Sequence, residues 1–248
     1  MSPYLRFSRV NCPRLRPSQP TTMVRDVQPV PGSVWSPSGG PPPHRMHGAV
    51  VHAGAYIGEE IEEYLAAGFD TIVLIEPNPQ IFARLLVHVE FWRQWLAAFA
   101  KVYDLPRPPR IHAVNLAASD RAGIVPFFVT ELAMYSSLLV PRPDAIHTAS
   151  VIDVVTRPID ALMDDLGVDP SSVDLIVLDT QGSEHLVLAG ASTVLPYVNA
   201  VVVETPKQLH QGQATQAALD ALLIGHGLRR SCDGIKGASN AIYLREVA

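Results

Sequence analysis

Ala49-Val50-Val51-His52-Ala53-Gly54-Ala55-Tyr56-Ile57-Gly58-Glu59 decides how this chain is read. An apolar run meets a glycine-bearing turn, and the turn opens into a helical pattern over residues 58–67 that Gly68 stops. A strand that feeds a helix through a glycine turn leaves backbone N–H groups and a helix N-terminus beside whatever binds there. A second apolar run, residues 71–75, is closed by Glu76. An acid at the end of the second strand is where such folds commonly hold a nucleoside ribose.

Working outward, the same alternation continues. Residues 49–53 and 71–75 are the first two strands, and Asn78 is the predicted N-cap of a long helix over residues 79–100. Pro106, Pro108 and Pro109 break the chain before a third strand at 111–116. This β-α-β-α-β order predicts a parallel sheet with right-handed crossovers. Residues 119–157 depart from it. Residues 125–129 are strand-like, with Pro126 placing them at an edge, and residues 151–156 are read as another edge strand, so an insertion over the sheet edge is expected. A short helix at 159–166, a strand at 174–178, a helix from Glu184, a strand at 199–203, a helix at 215–226 and strands at 227–231 and 241–244 complete the prediction.

The 248 residues, 48% of them hydrophobic, suffice for one large α/β domain. Residues 1–43 hold ten of the 22 prolines and are read as a mostly disordered, Arg-rich extension, with residues 44–248 as the domain and Met23 as an alternative start. A basic docking arm is the functional alternative for that extension. The net charge of −5 divides into about +5 over residues 1–45 and −10 over the rest, which argues against nucleic acid as the main partner and favours a small molecule. Two cysteines, Cys12 and Cys232, support neither a disulfide framework nor a Cys-based zinc site, so a reducing, cytoplasmic setting is expected. No apolar run has the length of a membrane span, and no secretory leader pattern stands at the N-terminus. The His44/His47 pair has metal-like spacing without a third ligand nearby and is read as coincidence.

Three predicted strands end in a carboxylate: Glu76, Asp179 and Glu204. In an open parallel sheet the ligand crevice lies outside these strand ends, so the three acids are predicted to face one cleft. Each alone could equally cap a helix. A nicotinamide cofactor would call for Gly-x-Gly-x-x-Gly, but Tyr56 and Glu59 stand where the second and third glycines belong, and Glu59 would repel a pyrophosphate. S-adenosylmethionine carries no phosphate and avoids both conflicts. It has a ribose for Glu76 and an amino-acid end for the glycine turn.

From residue 50 to residue 244 the chain resembles the FkbM-type S-adenosylmethionine-dependent methyltransferases. The resemblance rests on His52-Ala53-Gly54-Ala55-Tyr56-Ile57-Gly58, Ile75-Glu76-Pro77-Asn78-Pro79, Ala117-Ala118-Ser119-Asp120, Leu178-Asp179-Thr180-Gln181-Gly182-Ser183-Glu184, Leu188-Ala189-Gly190-Ala191 and Val203-Glu204, in that order. It implies a Rossmann-like class I methyltransferase fold, a seven-stranded, mostly parallel sheet with an antiparallel last strand near 241–244. It also implies methyl transfer, typically to oxygen.

Carried over by motif, Gly54, Ala55 and Gly58 would border the methionine part of the cofactor, flanked by His52 and Tyr56. Glu76, with Pro77 and Asn78, would take the ribose, and Asn115, Ser119 and Asp120 would lie near the adenine. Asp179 and Glu184 would sit on the acceptor side. Asp179 is the candidate base, with Glu204 or His185 next; a helix cap is the competing role for Asp179. The chain departs from the family in three places: His52 stands where an acid is usual, Tyr56 where Asn is usual, and Gln181 where Glu is usual. His52 is then either a neutral packed histidine or a base near the methyl group.

In-line methyl transfer gains roughly 7–11 kcal/mol from alignment and about 10²–10⁴-fold from a general base. Asp179, Glu184 and Glu204 would also suit magnesium, a role not assigned here. Tyr135-Ser136-Ser137 is a candidate acceptor wall. Two other functions stay open: an S-adenosylmethionine-binding module without turnover, and an interaction protein recruited through the proline-rich arm.

Overall fold

His47–Ala53 forms β1, an interior strand of a seven-stranded sheet in a computed structural model that describes residues 47–102, 107–204, 208–233 and 240–246. The other strands are β2 (Phe69–Ile75), β3 (Arg110–Val114), β7 (Val173–Leu178), β8 (Ala200–Glu204), β9 (Leu228–Asp233) and β10 (Asn240–Arg245). Their order is β3-β2-β1-β7-β8-β10-β9, with β1, β2, β3, β7 and β8 mutually parallel and β10 antiparallel to both of its neighbours. The mostly parallel sheet with an antiparallel final strand is therefore present. The central strands read as unbroken apolar runs because both of their faces are covered. Val51, Val73, Ile176 and Val201 pack with α3 (Ile159–Leu166), α4 (Glu184–Ala189) and α5 (Gln216–Gly225) on one face. Val50, Ile72, Leu74 and Val202 pack with α1 (Ile61–Ala67) and α2 (Pro79–Val102) on the other.

The helix boundaries follow local chemistry. Asn78 caps α2: its side-chain oxygen accepts the Gln80 N–H at 3.0 Å, with Pro79 in the first helical position. Thr215 caps α5 in the same way through Ala218. α1 begins at Ile61 rather than at Gly58, because Gly58 has φ +77°, a left-handed conformation outside the helix.

The insertion differs from its prediction. Leu116 leaves β3, and Ala117–Ala118 form a two-residue strand, β4, in a second sheet of order β4-β6-β5 with β5 (Gly123–Thr130) and β6 (Thr148–Arg157). β5 lies at the edge, where Pro126 is tolerated. β6 is not an edge strand: Thr156 and Arg157 pair with β4 on one side while the rest of the strand pairs with β5 on the other. Residues 1–43 and His44 lie outside the described residues, so the arm and the histidine pair are not addressed by this structure. Among the described residues no helix is long and apolar enough to cross a membrane.

Candidate active site

Strand register builds the site. Ala53 is level with Ile75 on one side and with Leu178 on the other, and Leu178 is level with Val203. The next residue of each strand is Gly54, Glu76, Asp179 and Glu204, so one line of hydrogen-bonded register brings the glycine turn and all three acids to the same rim. β1 and β7 neighbour each other where the strand order reverses direction, which is the place an open α/β sheet leaves a crevice.

On the β1–β2 side the main chain does the holding. Gly54 has φ +85°, and a Cβ there would lie 1.9 Å from the Asp179 carbonyl oxygen, so only glycine lets the two strand ends approach. The Gly54 and Ala55 amides both donate to the Ile75 carbonyl at 3.0 Å. Tyr56 takes φ 48°, uncommon for a residue with a side chain, and its N–H donates to Glu76 Oε2 at 3.1 Å. The Asn78 N–H donates to Glu76 Oε1 at 2.8 Å. Burial still outweighs these two bonds and pushes the Glu76 carboxyl up to about 7. The Asn115 side-chain amide donates to the Glu76 and Pro77 carbonyls, so it positions this turn from behind.

On the β7–β8 side the acids are held by side chains. Gln181 Nε2 donates to Asp179 Oδ1 at 2.6 Å and also to Glu204 Oε2. Burial pushes the Asp179 carboxyl well above its usual range, and the charge of Glu204 adds to the effect. Glu184 does a different job from the acceptor-side role implied above. Its Oε1 accepts from the Thr180 amide, the Thr180 hydroxyl and the Gly182 amide, which staples the Thr180–Gly182 turn in which Gln181 has φ 55°.

A cavity of about 450 Å³ lies between the two halves, within the range of small-molecule sites. Of the predicted residues, Gly54, Ala55, Tyr56, Glu76, Pro77, Asp179 and Glu204 line it. His52, Gly58, Asn78, Asn115, Ser119, Asp120 and His185 do not. Gly58 supports the turn from below, where an added Cβ would strike Leu85 and Ile61. Ser119 bonds Asp120, and Ala117 and Ala118 form the wall in their place. His185 stands on α4 away from the wall. Tyr135 and Ser136 of the candidate acceptor wall do line the cavity, with Phe127, Met134 and Leu138, so the insertion roofs it. Ser137 is buried and donates to the Thr180 carbonyl instead.

The sequence reading missed Glu60 and Arg84 on the wall, because neither falls in a motif. The one available signal for Arg84 was helical periodicity, which puts it a turn and a half beyond the Asn78 cap.

His52 is buried on the α1–α2 face of β1. Its Nδ1 lies 3.0 Å from the Tyr64 hydroxyl, and burial holds the ring down at about 4, so it is neutral. It packs under the cavity rather than facing it. No group of three or more His, Cys, Asp or Glu side chains among the described residues is placed to hold a metal ion.

The family model described as Methyltransferase FkbM domain matches residues 52–232, from the first strand end to the penultimate strand. The chain belongs to the FkbM methyltransferase family. Among solved structures, this FkbM chain is similar to a methyltransferase FkbM from Methylobacillus flagellatus KT, with 17% identity over 80% of this chain and 43% of that one and a TM-score of 0.49. It therefore spans under half the length of that relative. It is also similar to a conserved hypothetical protein from Streptococcus pyogenes (16% identity, 83% of this chain, 90% of that one, TM-score 0.40). A putative tRNA methyltransferase from Streptococcus pneumoniae is a third (9% identity, 81% and 64% coverage, TM-score 0.40). No curated protein matches the chain.

Proposed function

We propose that the chain is an S-adenosylmethionine-dependent O-methyltransferase acting on a small hydroxylated or carboxylated acceptor. The observation that carries this reading is the cavity itself. It is lined by Glu59, Glu60, Glu76, Asp179 and Glu204, an acid-rich wall that suits a ligand bearing a sulfonium and an ammonium. The same wall disfavours a phosphate-bearing cofactor and a nucleic-acid acceptor.

S-adenosylmethionine, when bound, supplies an electrophilic methyl group on a positively charged sulfur. Glu76, fixed by two amides, offers its remaining lone pairs to the ribose hydroxyls, and the Gly54–Ala55 turn leaves room for the methionine part. Ala117 and Ala118 offer a flat apolar wall for a base. Asp179 and Glu204 form the proton-handling pair. A raised carboxyl is a stronger base once ionised, and a cation in the cavity favours that ionisation. Gln181 holds both carboxyls in place while the proton moves. Tyr135, Ser136 and Met134 of the roof face the same cavity and supply a mixed polar and apolar acceptor wall. With so few cysteines, the cytoplasm suits this enzyme.

Screening hydroxylated and carboxylated small molecules with methyl-labelled S-adenosylmethionine tests the reading. Label transfer to such an acceptor supports it. Tight binding of S-adenosylhomocysteine with no transfer to any acceptor would favour the binding-module alternative.

A further inference from the structure

We infer that Glu60 and Arg84 form a clamp for the amino-acid end of the cofactor, Glu60 for its ammonium and Arg84 for its carboxylate. The inference rests on the cofactor reading above and adds two residues that no motif contains. Among the described residues Arg84 is the only basic side chain on a cavity wall that carries five carboxylates. It stands exposed on α2 and makes no hydrogen bond or ion pair among the described residues. A lone guanidinium at such a wall is matched by an anionic group on the ligand, and a guanidinium binds a carboxylate through two parallel N–H donors.

Glu60 stands where the chain passes from the glycine turn into α1. It takes the N-cap position of α1, yet its side chain makes no capping bond. Glu60 instead lines the cavity, and its Oε2 lies 3.9 Å from His52 Nδ1. Since His52 is neutral, that contact leaves the carboxylate without a cation among the described residues, and burial pushes it up to about 7. His52 offers an ammonium no negative charge and does not line the cavity, whereas the acid beside it does both once ionised.

Both residues flank the β1–β2 half of the cavity, Glu60 beyond the turn at Gly54–Gly58 and Arg84 on the helix that follows Glu76. The acceptor pair Asp179–Glu204 comes from β7 and β8 instead. This separation assigns Arg84 to the cofactor rather than to an acceptor.

The test is calorimetric binding of three probes to the full chain and to Glu60→Gln and Arg84→Ala. S-adenosylhomocysteine carries both charged groups, methylthioadenosine carries neither, and decarboxylated S-adenosylmethionine keeps the ammonium, lacks the carboxylate and adds a sulfonium, so each variant is compared with the unmodified chain probe by probe. Glu60→Gln should weaken S-adenosylhomocysteine and the decarboxylated compound by about 10–100-fold, with methylthioadenosine unchanged. Arg84→Ala should weaken S-adenosylhomocysteine by about 10-fold or more, with the other two probes unchanged. Unaltered methylthioadenosine binding shows that each variant is folded. Equal losses for all three probes, or no loss for S-adenosylhomocysteine, would overturn the clamp while leaving the cofactor reading intact. Failure of the unmodified chain to bind any of the three would instead remove the cofactor reading, and the clamp with it.

Discussion

The two sides of the cavity hold their acids by different means. Glu76 is gripped by main-chain N–H groups of Tyr56 and Asn78, one from each adjoining turn. Asp179 is held by a side chain, Gln181, and faces a second carboxyl from the neighbouring strand. Backbone amides fix a carboxylate in place and leave it acceptor-only when ionised, which suits binding. Two buried carboxyls that face each other favour a proton on one of them, which suits chemistry, while the amide side chain between them fixes their positions. On the proposed function, the contrast divides the site into a binding half and a reacting half.

The division is broken or sharpened by substitution. Asp179→Asn should lower turnover of an identified acceptor by about 10²–10⁴-fold while leaving S-adenosylhomocysteine affinity nearly unchanged. An equal loss of binding would show that the halves are not separate. Gly54→Ala strikes both at once, since its Cβ would meet the Asp179 carbonyl at a left-handed backbone position. Urea denaturation should show a loss of about 2–4 kcal/mol, and a fully stable variant would mean that the strand ends are not locked together. Glu76→Gln places an NH₂ against one of the two donating amides. Titration should show S-adenosylhomocysteine binding weakened by about 10–100-fold. Tyr64→Phe removes only the hydroxyl bonded to His52 beneath the wall. It should cost about 1 kcal/mol of stability and leave cofactor affinity intact, as expected if His52 is a packing residue.

The binding half was the more legible in the sequence, for a physical reason. Gly54, Tyr56, Glu76 and Asn78 act through turns whose chemistry is local, and the apolar runs before them set the register that makes the ends level. The Asn78 cap and the α3 span Ile159–Leu166 were readable for the same reason. The reacting half depends on contacts across long sequence separations. That Gln181 spans Asp179 and Glu204, and that Glu184 ties down the turn rather than facing the cavity, cannot be deduced from spacing. The roof was harder still. Residues 151–156 look like an edge strand, and only the pairing of Ala117–Ala118 with Thr156 and Arg157 makes β6 central. Glu60 and Arg84 carry no signal beyond charge.

Proton linkage gives the most direct test of the binding half. Burial raises Glu76 from 4.5 to about 7, so the folded chain holds this proton where the unfolded chain releases it. The resulting stability is complete below the unfolded value and is lost as pH rises through about 7. Ligand affinity runs the opposite way, because ribose hydroxyls donate to the ionised carboxylate and Glu60, also near 7, must ionise to meet an ammonium. Calorimetric titration of S-adenosylhomocysteine at about pH 6 and about pH 8 should therefore show one-site binding that tightens by about tenfold or more at the higher pH. Absence of binding at either pH, or affinity that falls as pH rises, would contradict the assignment of this cavity to S-adenosylmethionine.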